Sequence, residues 1–210
     1  MMNTLDEIKN VITQGLRENK RCVVAIAGPP GSGKSTLAEH LNNSLNQDGH
    51  ISCVMPMDGF HLNNNVLIER GLLPRKGAPT TFDSYGFVNT VKRIYDHTHT
   101  VYVPVFDRSN DIAIAGTQEV SPMHTIVLVE GNYLLLQDDP WAQLAHYFDI
   151  SLFINPGIDV IEQRILQRWQ DAGLDEGTIQ QRTYENDLPN AQYVIEHSIL
   201  DNVTALTQWS

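Results

Sequence analysis

Four side chains in this sequence have the types and settings needed for phosphate chemistry: Lys34, Ser35, Asp58 and Glu130. Lys34 and Ser35 lie in Gly28-Pro29-Pro30-Gly31-Ser32-Gly33-Lys34-Ser35-Thr36, which fits G-x-x-x-x-G-K-[ST], the phosphate-binding loop. Its glycines let successive backbone N–H groups turn inward, and the helix start that follows adds partial positive charge. Lys34 is therefore expected to reach the β- and γ-phosphates of a nucleotide, and the Ser35 hydroxyl to ligate Mg²⁺. The flanks agree. Residues 21–27 form a short apolar, β-branched run, the mark of a buried strand, and Leu37, Ala38, Leu41 and Leu45 then recur at helical spacing.

The two acids each follow an apolar run. Asp58 comes directly after residues 51–57, and ligands of an open α/β sheet sit at the carboxyl ends of its strands. There a carboxylate could accept a proton from a substrate hydroxyl, help hold Mg²⁺ through water, or both. Asp58-Gly59 is equally a turn signal. Glu130 closes the run 126–129, where a nucleotide-binding sheet places a second acid near the metal. The other reading is a strand-end carboxylate accepting loop N–H groups.

The candidate cations lie further along. Arg164 and Arg168 are four apart on a helix expected over 158–171, with Ile158, Ile161, Ile165 and Trp169 on its inner face. Gly173 and Gly177 look like hinges, so residues 164–188 are expected to form a small lid carrying cations over a transferring phosphate. Arg75 and Lys76 interrupt the Pro- and Gly-rich loop 71–82 and either meet substrate or stand as a solvated pair. Asp107 and Arg108 belong to a polar cluster that could bind substrate. His97 and His99 have no neighbours to complete a metal site and read as solvent histidines.

Further elements follow from patterning. Thr4 and Glu7 form a capping box, and a helix is expected over 83–95 with Phe87, Val91, Ile94 and Tyr95 inward. Pro104 makes 101–106 unsuited to a central strand. Strands are expected at 150–154 and 199–206, and a break at 186–190. The outcome is an α/β fold: one domain over 1–210 with a mostly parallel five-stranded sheet, helices on both faces, and a segment 59–115 inserted on the acceptor side.

With 210 residues and 41% hydrophobic composition the chain can build one core. Fourteen basic against 25 acidic residues give a net charge of −11, which argues against a nucleic-acid partner. Cys22 and Cys53 read as buried small hydrophobes. Residues 1–20 carry no apolar leader, and no run is long enough for a membrane helix. A cytoplasmic protein is expected, and a homodimer is compatible with the chain.

In this order, the phosphate loop, Met57-Asp58-Gly59-Phe60-His61-Leu62, Arg75-Lys76-Gly77-Ala78-Pro79, Phe82-Asp83, Pro104-Val105-Phe106-Asp107-Arg108, Val129-Glu130-Gly131 and Asn186-Asp187 resemble the uridine kinase, pantothenate kinase and phosphoribulokinase superfamily of P-loop kinases. The bacterial fructose-transport-system-kinase-like branch is most similar. The resemblance implies the three-layer P-loop NTPase fold and ATP- and Mg²⁺-dependent phosphorylation of a small-molecule hydroxyl on a sugar, a nucleoside or a pantothenate-like compound. It implies that Asp58 is the base, that Glu130 lies near the metal and that Arg164 and Arg168 come from the lid. His61, Arg75, Lys76, Asp107 and Arg108 fall on the acceptor side. The substrate-binding His that pantothenate and uridine kinases carry near this place is absent from Phe106-Asp107-Arg108-Ser109-Asn110, so the acceptor stays open. The competing class is a nucleotide-dependent switch without phosphoryl transfer. Asp83-Ser84-Tyr85-Gly86 fits D-x-x-G, but no Asn-Lys-x-Asp motif accompanies it.

Overall fold

The computed structural model describes residues 4–18, 20–201 and 203–207. Residues 1–3 and 19 of the expected leaderless segment, and residue 202 of the expected last strand, lie outside them. Helix α1 (Leu5–Gln14) opens with both halves of the expected capping box: Glu7 N–H donates to Thr4 Oγ1 and Thr4 N–H to Glu7 Oε2, each at 3.2 Å. Strand β1 (Cys22–Ala27) leads into the phosphate loop and α2 (Lys34–Gln47). Then come β2 (Ser52–Pro56), a 3₁₀ turn at Met57–Phe60, α3 (Asn64–Glu69), α4 (Ser84–Asp96), β3 (Val101–Asp107), β4 (Ile112–Val120) and β5 (Ile126–Gly131). The chain continues through β6 (Ile150–Ile154), α5 (Ile158–Asp171), α6 (Glu176–Arg182), a π-helical turn at Thr183–Asp187, α7 (Leu188–His197) and β7 (Ala205–Thr207).

The main sheet has five strands in the order β2-β5-β1-β6-β7, every pair parallel. Alternate residues of each strand feed two separate cores, as the strand period of two requires. Val24 and Ile26 of β1 and Leu128 of β5 pack with Ile8, Ile12, Leu37, Leu41 and Leu45 of α1 and α2. Val23, Ala25, Val127 and Val129 face the other way, onto Phe87 and Val91 of α4, Trp141 and Val194 of α7. Helices thus cover both faces, as the sequence predicts. Cys22 and Cys53 are buried and unbridged, and burial pushes both thiols up to about 12.

Several expectations need correction. Tyr95 and Ile158 are exposed, at the rims of their helices' inner faces. Gly177 lies inside α6, so only Gly173, at φ 72°, serves a turn there. No break follows Arg182: the π turn joins α6 to α7, and Pro189 occupies the first turn of α7, where a missing N–H costs nothing. The last strand is confined to Ala205–Thr207. Residues 101–107 are extended and stay out of the main sheet, as Pro104 predicts: they form a separate antiparallel hairpin with β4, and the register shifts at Pro104. A proline is tolerated at such an irregularity. The inserted segment's expected end at 115 falls in the middle of β4.

Candidate active site

The phosphate loop places Lys34 at the head of α2. Gly33 is the N-cap at φ 94°, a left-handed conformation that glycine adopts without strain, and it has no side chain to cap the helix. First-turn N–H groups of α2 are therefore left for an outside acceptor, with no acidic residue there to compete. A cavity of about 270 Å³ opens at this point, lined by Gly33, Lys34, Ser35 and Thr36 on one side and by Asp58, Arg108, Asn132 and Arg168 on the other. Two buried oxygens, Ser32 Oγ and Asn132 Oδ1, have no hydrogen-bond partner within the protein.

Sheet register brings the acids to the same place. Glu130 on β5 is level with Ile26 of β1 and Pro56 of β2, and Asp58 follows Pro56 by two residues. Glu130 is 5% exposed and accepts a hydrogen bond from Ser35 Oγ at 3.1 Å. Burial raises its pKa, Lys34 works against that rise and Asp58 adds to it. Burial lowers the Lys34 ammonium from its ordinary value, while Glu130 and Asp58 pull it back up. Asp58 Oδ2 meets Arg108 Nη2 at 3.3 Å. The cavity thus holds two hard oxygen groups, Ser35 and Asp58, with Glu130 bonded behind Ser35, beside one ammonium and two guanidinium groups. Among the described residues no cluster of three His, Cys, Asp or Glu side chains could hold a metal. A Mg²⁺ held by Ser35, Asp58 and Glu130 would complete its octahedron with water and phosphate oxygens, as this ion commonly does.

The arginines of α5 divide their tasks. Arg168 lines the cavity and donates to Asp187 Oδ2 at 3.0 Å, and its guanidinium lies 4.6 Å from the Trp169 ring centroid. Arg164 instead reaches the far side of the loop, donating to the carbonyls of Ser32 and Gly31 at 3.1 and 3.3 Å. His61 is held beneath Asp58: its Nδ1 lies 2.8 Å from the Asp58 carbonyl, and its ring is 4.0 Å from Phe82 and 4.8 Å from Phe106. A carbonyl only accepts, so Nδ1 carries the proton, and in the neutral ring Nε2 is an acceptor. Burial lowers the His61 pKa and favours that neutral form.

Three sequence candidates are engaged elsewhere. Arg75 donates to the Glu185 carbonyl and to Asn190 Oδ1. Lys76 pairs with Asp111 at 2.8 Å and donates to Asn64 Oδ1 at 2.7 Å. Asp107 caps the hairpin turn by accepting from Ser109 and Asn110, bonds that bring its carboxyl down to about 2. Asp83 of the D-x-x-G match is the N-cap of α4, bonded to Gly86 N–H at 2.9 Å. His97 bonds the Pro122 carbonyl. Sequence patterning does not single out Asn132, although it is the polar residue directly after Glu130-Gly131; it places Trp169 only on the apolar face of α5 and brings in Asp187 only through the Asn186-Asp187 motif of the family resemblance, its partner Arg168 lying 19 positions away.

The sequence profile of the Phosphoribulokinase / Uridine kinase family matches residues 23–199. YggC of Escherichia coli K12 is 33% identical over 187 residues, covering 88% of this chain and 77% of its own. A pantothenate kinase of Enterococcus faecalis is 31% identical over 150 residues, covering 70% of this chain, which spans about half (49%) of that enzyme. The crystal structure of a candidate fructose transport system kinase from Silicibacter sp. TM1040 superposes with a TM-score of 0.91 at 41% identity, covering all of both chains. A phosphate loop at the head of α2, an all-parallel sheet and this agreement of profile, sequence and structure lead to one conclusion: the chain belongs to the phosphoribulokinase/uridine kinase family of P-loop kinases.

Proposed function

We propose that this protein transfers the γ-phosphoryl group of ATP to a hydroxyl of a small metabolite. One observation carries the reading: Lys34, Ser35, Glu130, Asp58 and Arg168 meet at the head of α2, although two helices, a 3₁₀ turn and a strand supply them. Family membership supports a small-molecule kinase. The α2 N–H groups and Lys34 hold the terminal phosphates of ATP. Ser35, Glu130 and Asp58 are the residues that would hold Mg²⁺, and the bound ion would neutralise charge on the phosphate oxygens. Arg164 braces the loop from behind through its carbonyls. Arg168 lies over the transferring group and offsets its negative charge.

Asp58 accepts the acceptor's hydroxyl proton as the hydroxyl oxygen bonds to the γ-phosphorus. The bond from that phosphorus to the β,γ-bridging oxygen breaks, and ADP leaves with the electron pair. His61, Arg108 and Asn132 border the acceptor side. Arg75, Lys76 and Asp107 shape that side through the loop and hairpin they hold in place. Residues 164–188 act as the lid and the segment 59–115 as the acceptor wall.

Lys34→Ala tests the reading. Acceptor-dependent ADP release should fall by at least about 100-fold, the loss expected when one preorganised donor to a developing charge is removed. The fold should persist, because Glu130, already raised by burial, takes a proton rather than stand as an unpaired buried charge. Wild-type turnover in a folded Lys34→Ala protein would refute the reading.

A further inference from the structure

We propose that the acceptor is a small hydroxycarboxylic acid and that Arg108 receives its carboxylate; this rests on the kinase reading above. Without substrate, the presumed base is occupied. Asp58 Oδ2 faces Arg108 Nη2 at 3.3 Å, and the two side chains are 32% and 68% exposed. A single long contact at the mouth of a cavity is a weak tie. Still, Arg108 occupies the carboxylate oxygen that a substrate hydroxyl has to reach.

Arg108 is the cation left over for that purpose. Lys34 and Arg168, the other cations lining the cavity, belong to the phosphate side. Arg75 is tied to Glu185 and Asn190, and Lys76 to Asp111 and Asn64. Arg108 itself extends from a hairpin turn that Asp107 has already closed by bonding Ser109 and Asn110. It therefore projects from a fixed backbone and, among the described residues, bonds Asp58 alone.

One guanidinium fork matches one planar carboxylate, which it can bind through two parallel hydrogen bonds. A carboxylate on the acceptor takes Arg108 from Asp58 and delivers the hydroxyl to the freed base in one exchange. A neutral polyol or nucleoside offers Arg108 only uncharged acceptors, which compete poorly with the Asp58 carboxylate. A phosphate monoester brings about two charges to a side with one uncommitted cation. His61 Nε2, an acceptor in the neutral ring, suits a second hydroxyl.

The test compares matched pairs with MgATP: glycerate with glycerol, gluconate with glucose, pantothenate with panthenol. The acid of at least one pair should be phosphorylated with kcat/KM at least 10-fold above its neutral partner. Arg108→Gln should bring that ratio close to one, a loss of about 10- to 100-fold for the acid, as for charged hydrogen bonds. Because Arg108 is exposed, a thermal melt should show the variant folded. Turnover confined to neutral compounds or sugar phosphates would leave the kinase reading standing and overturn this one, and so would an acid preference that survives Arg108→Gln. No turnover with any acid also overturns it. In that case the kinase reading is judged separately, by whether the protein releases phosphate from ATP to water in a manner that requires Lys34.

Discussion

Gly59→Ala should separate the acceptor side of the site from the phosphate side. Gly59 follows Asp58 in the 3₁₀ turn, and strand β3 crosses directly over it. A Cβ built there would lie 2.1 Å from the Pro104 carbonyl oxygen and 2.6 Å from its carbon. Ordinary contact begins at 3.4 Å, so turn and hairpin have to part by about 1.3 Å. The move displaces Asp58 on one side and Arg108, four residues beyond Pro104, on the other. Misplacing a reacting group by about 1 Å can cost roughly 100-fold in rate, and the predicted fall in kcat is of that order. Overpacking should also remove about 1–3 kcal/mol of stability, or some 2–4 °C of Tm per kcal/mol for a chain of this size. ATP binding, read with a fluorescent analogue, should hold, because the phosphate loop is untouched. Gly49→Ala is the control. Gly49 sits beyond the far end of α2 at φ 87° with nothing within 4 Å, so alanine there strains the backbone without approaching the site. The reasoning fails if Gly59→Ala turns over like the wild type, or if Gly49→Ala loses as much kcat for the same loss of stability.

Asp187→Asn should lower kcat about 10-fold, because Arg168 loses its charged anchor. Tm should hold or rise, since burial costs the ionised carboxylate more than Arg168 and Trp169 recover and so raises its pKa. A drop in Tm with unchanged kcat would make Asp187 a purely structural residue. His61, its pKa lowered first of all by burial, should make stability fall as pH drops below about 6.5, where the unfolded chain takes a proton that the folded protein refuses. Urea midpoints from pH 8 to 5 for wild type and His61→Phe should show a slope in the difference of at most about 1.4 kcal/mol per pH unit. A flat difference would refute the burial account.

The most legible parts of the chain were those whose signal is local. The phosphate loop, the capping box at Thr4 and the runs around β1, β2, β5 and β6 are each contained within a dozen residues. Strand β4 was missed because its side chains give no inward alternation: most of Ile112–Val120 is exposed, and it pairs with β3 instead of with the main sheet. The stretch Asn186 to Asn190 reads as a helix breaker because it contains Pro189, yet that proline sits in the first turn of α7, after a π turn no local pattern announces. Arg75 and Lys76 looked like substrate ligands because such cations are conspicuous in an acidic chain. Asn190, a side-chain partner of Arg75, lies 115 positions away, beyond what spacing can reveal. Arg168 is legible as a candidate, and Asp187 and Trp169 are legible as a family motif and an apolar face, but that these two aim Arg168 shows only once the fold brings positions 18 and 19 apart together.

Those long-range contacts form a closed circuit around the cavity. Arg164 ties α5 to the phosphate loop through the Gly31 and Ser32 carbonyls. Arg168 and Trp169 Nε1 tie α5 to Asp187 in the π turn, at 3.0 and 2.8 Å. Asn186, next in that turn, donates to the Lys76 carbonyl at 2.8 Å, and Arg75 returns a bond to the Glu185 carbonyl. Tyr133, two residues beyond β5, donates to the Gly77 carbonyl, and Ser35 closes the circuit on Glu130. Most of these links run from a side chain to a backbone carbonyl, so the length of each side chain fixes the separation of two elements. The π turn carries both links from adjacent residues, Asp187 facing α5 and Asn186 the Lys76 loop. The hairpin carrying Arg108 stands outside the circuit: Val101, Val103 and Val120 root it in the core, Gln118 donates to the Val54 carbonyl, and its turn end is held by close packing on Gly59 and by the Lys76–Asp111 pair. The phosphate side is thus cross-braced by side chains from every element around it, whereas the hairpin is rooted in the core at its far end and its Arg108 turn is tied through Asp111 to Lys76 and Asn64, which places substrate choice at a turn the fold can change at little cost to phosphate chemistry.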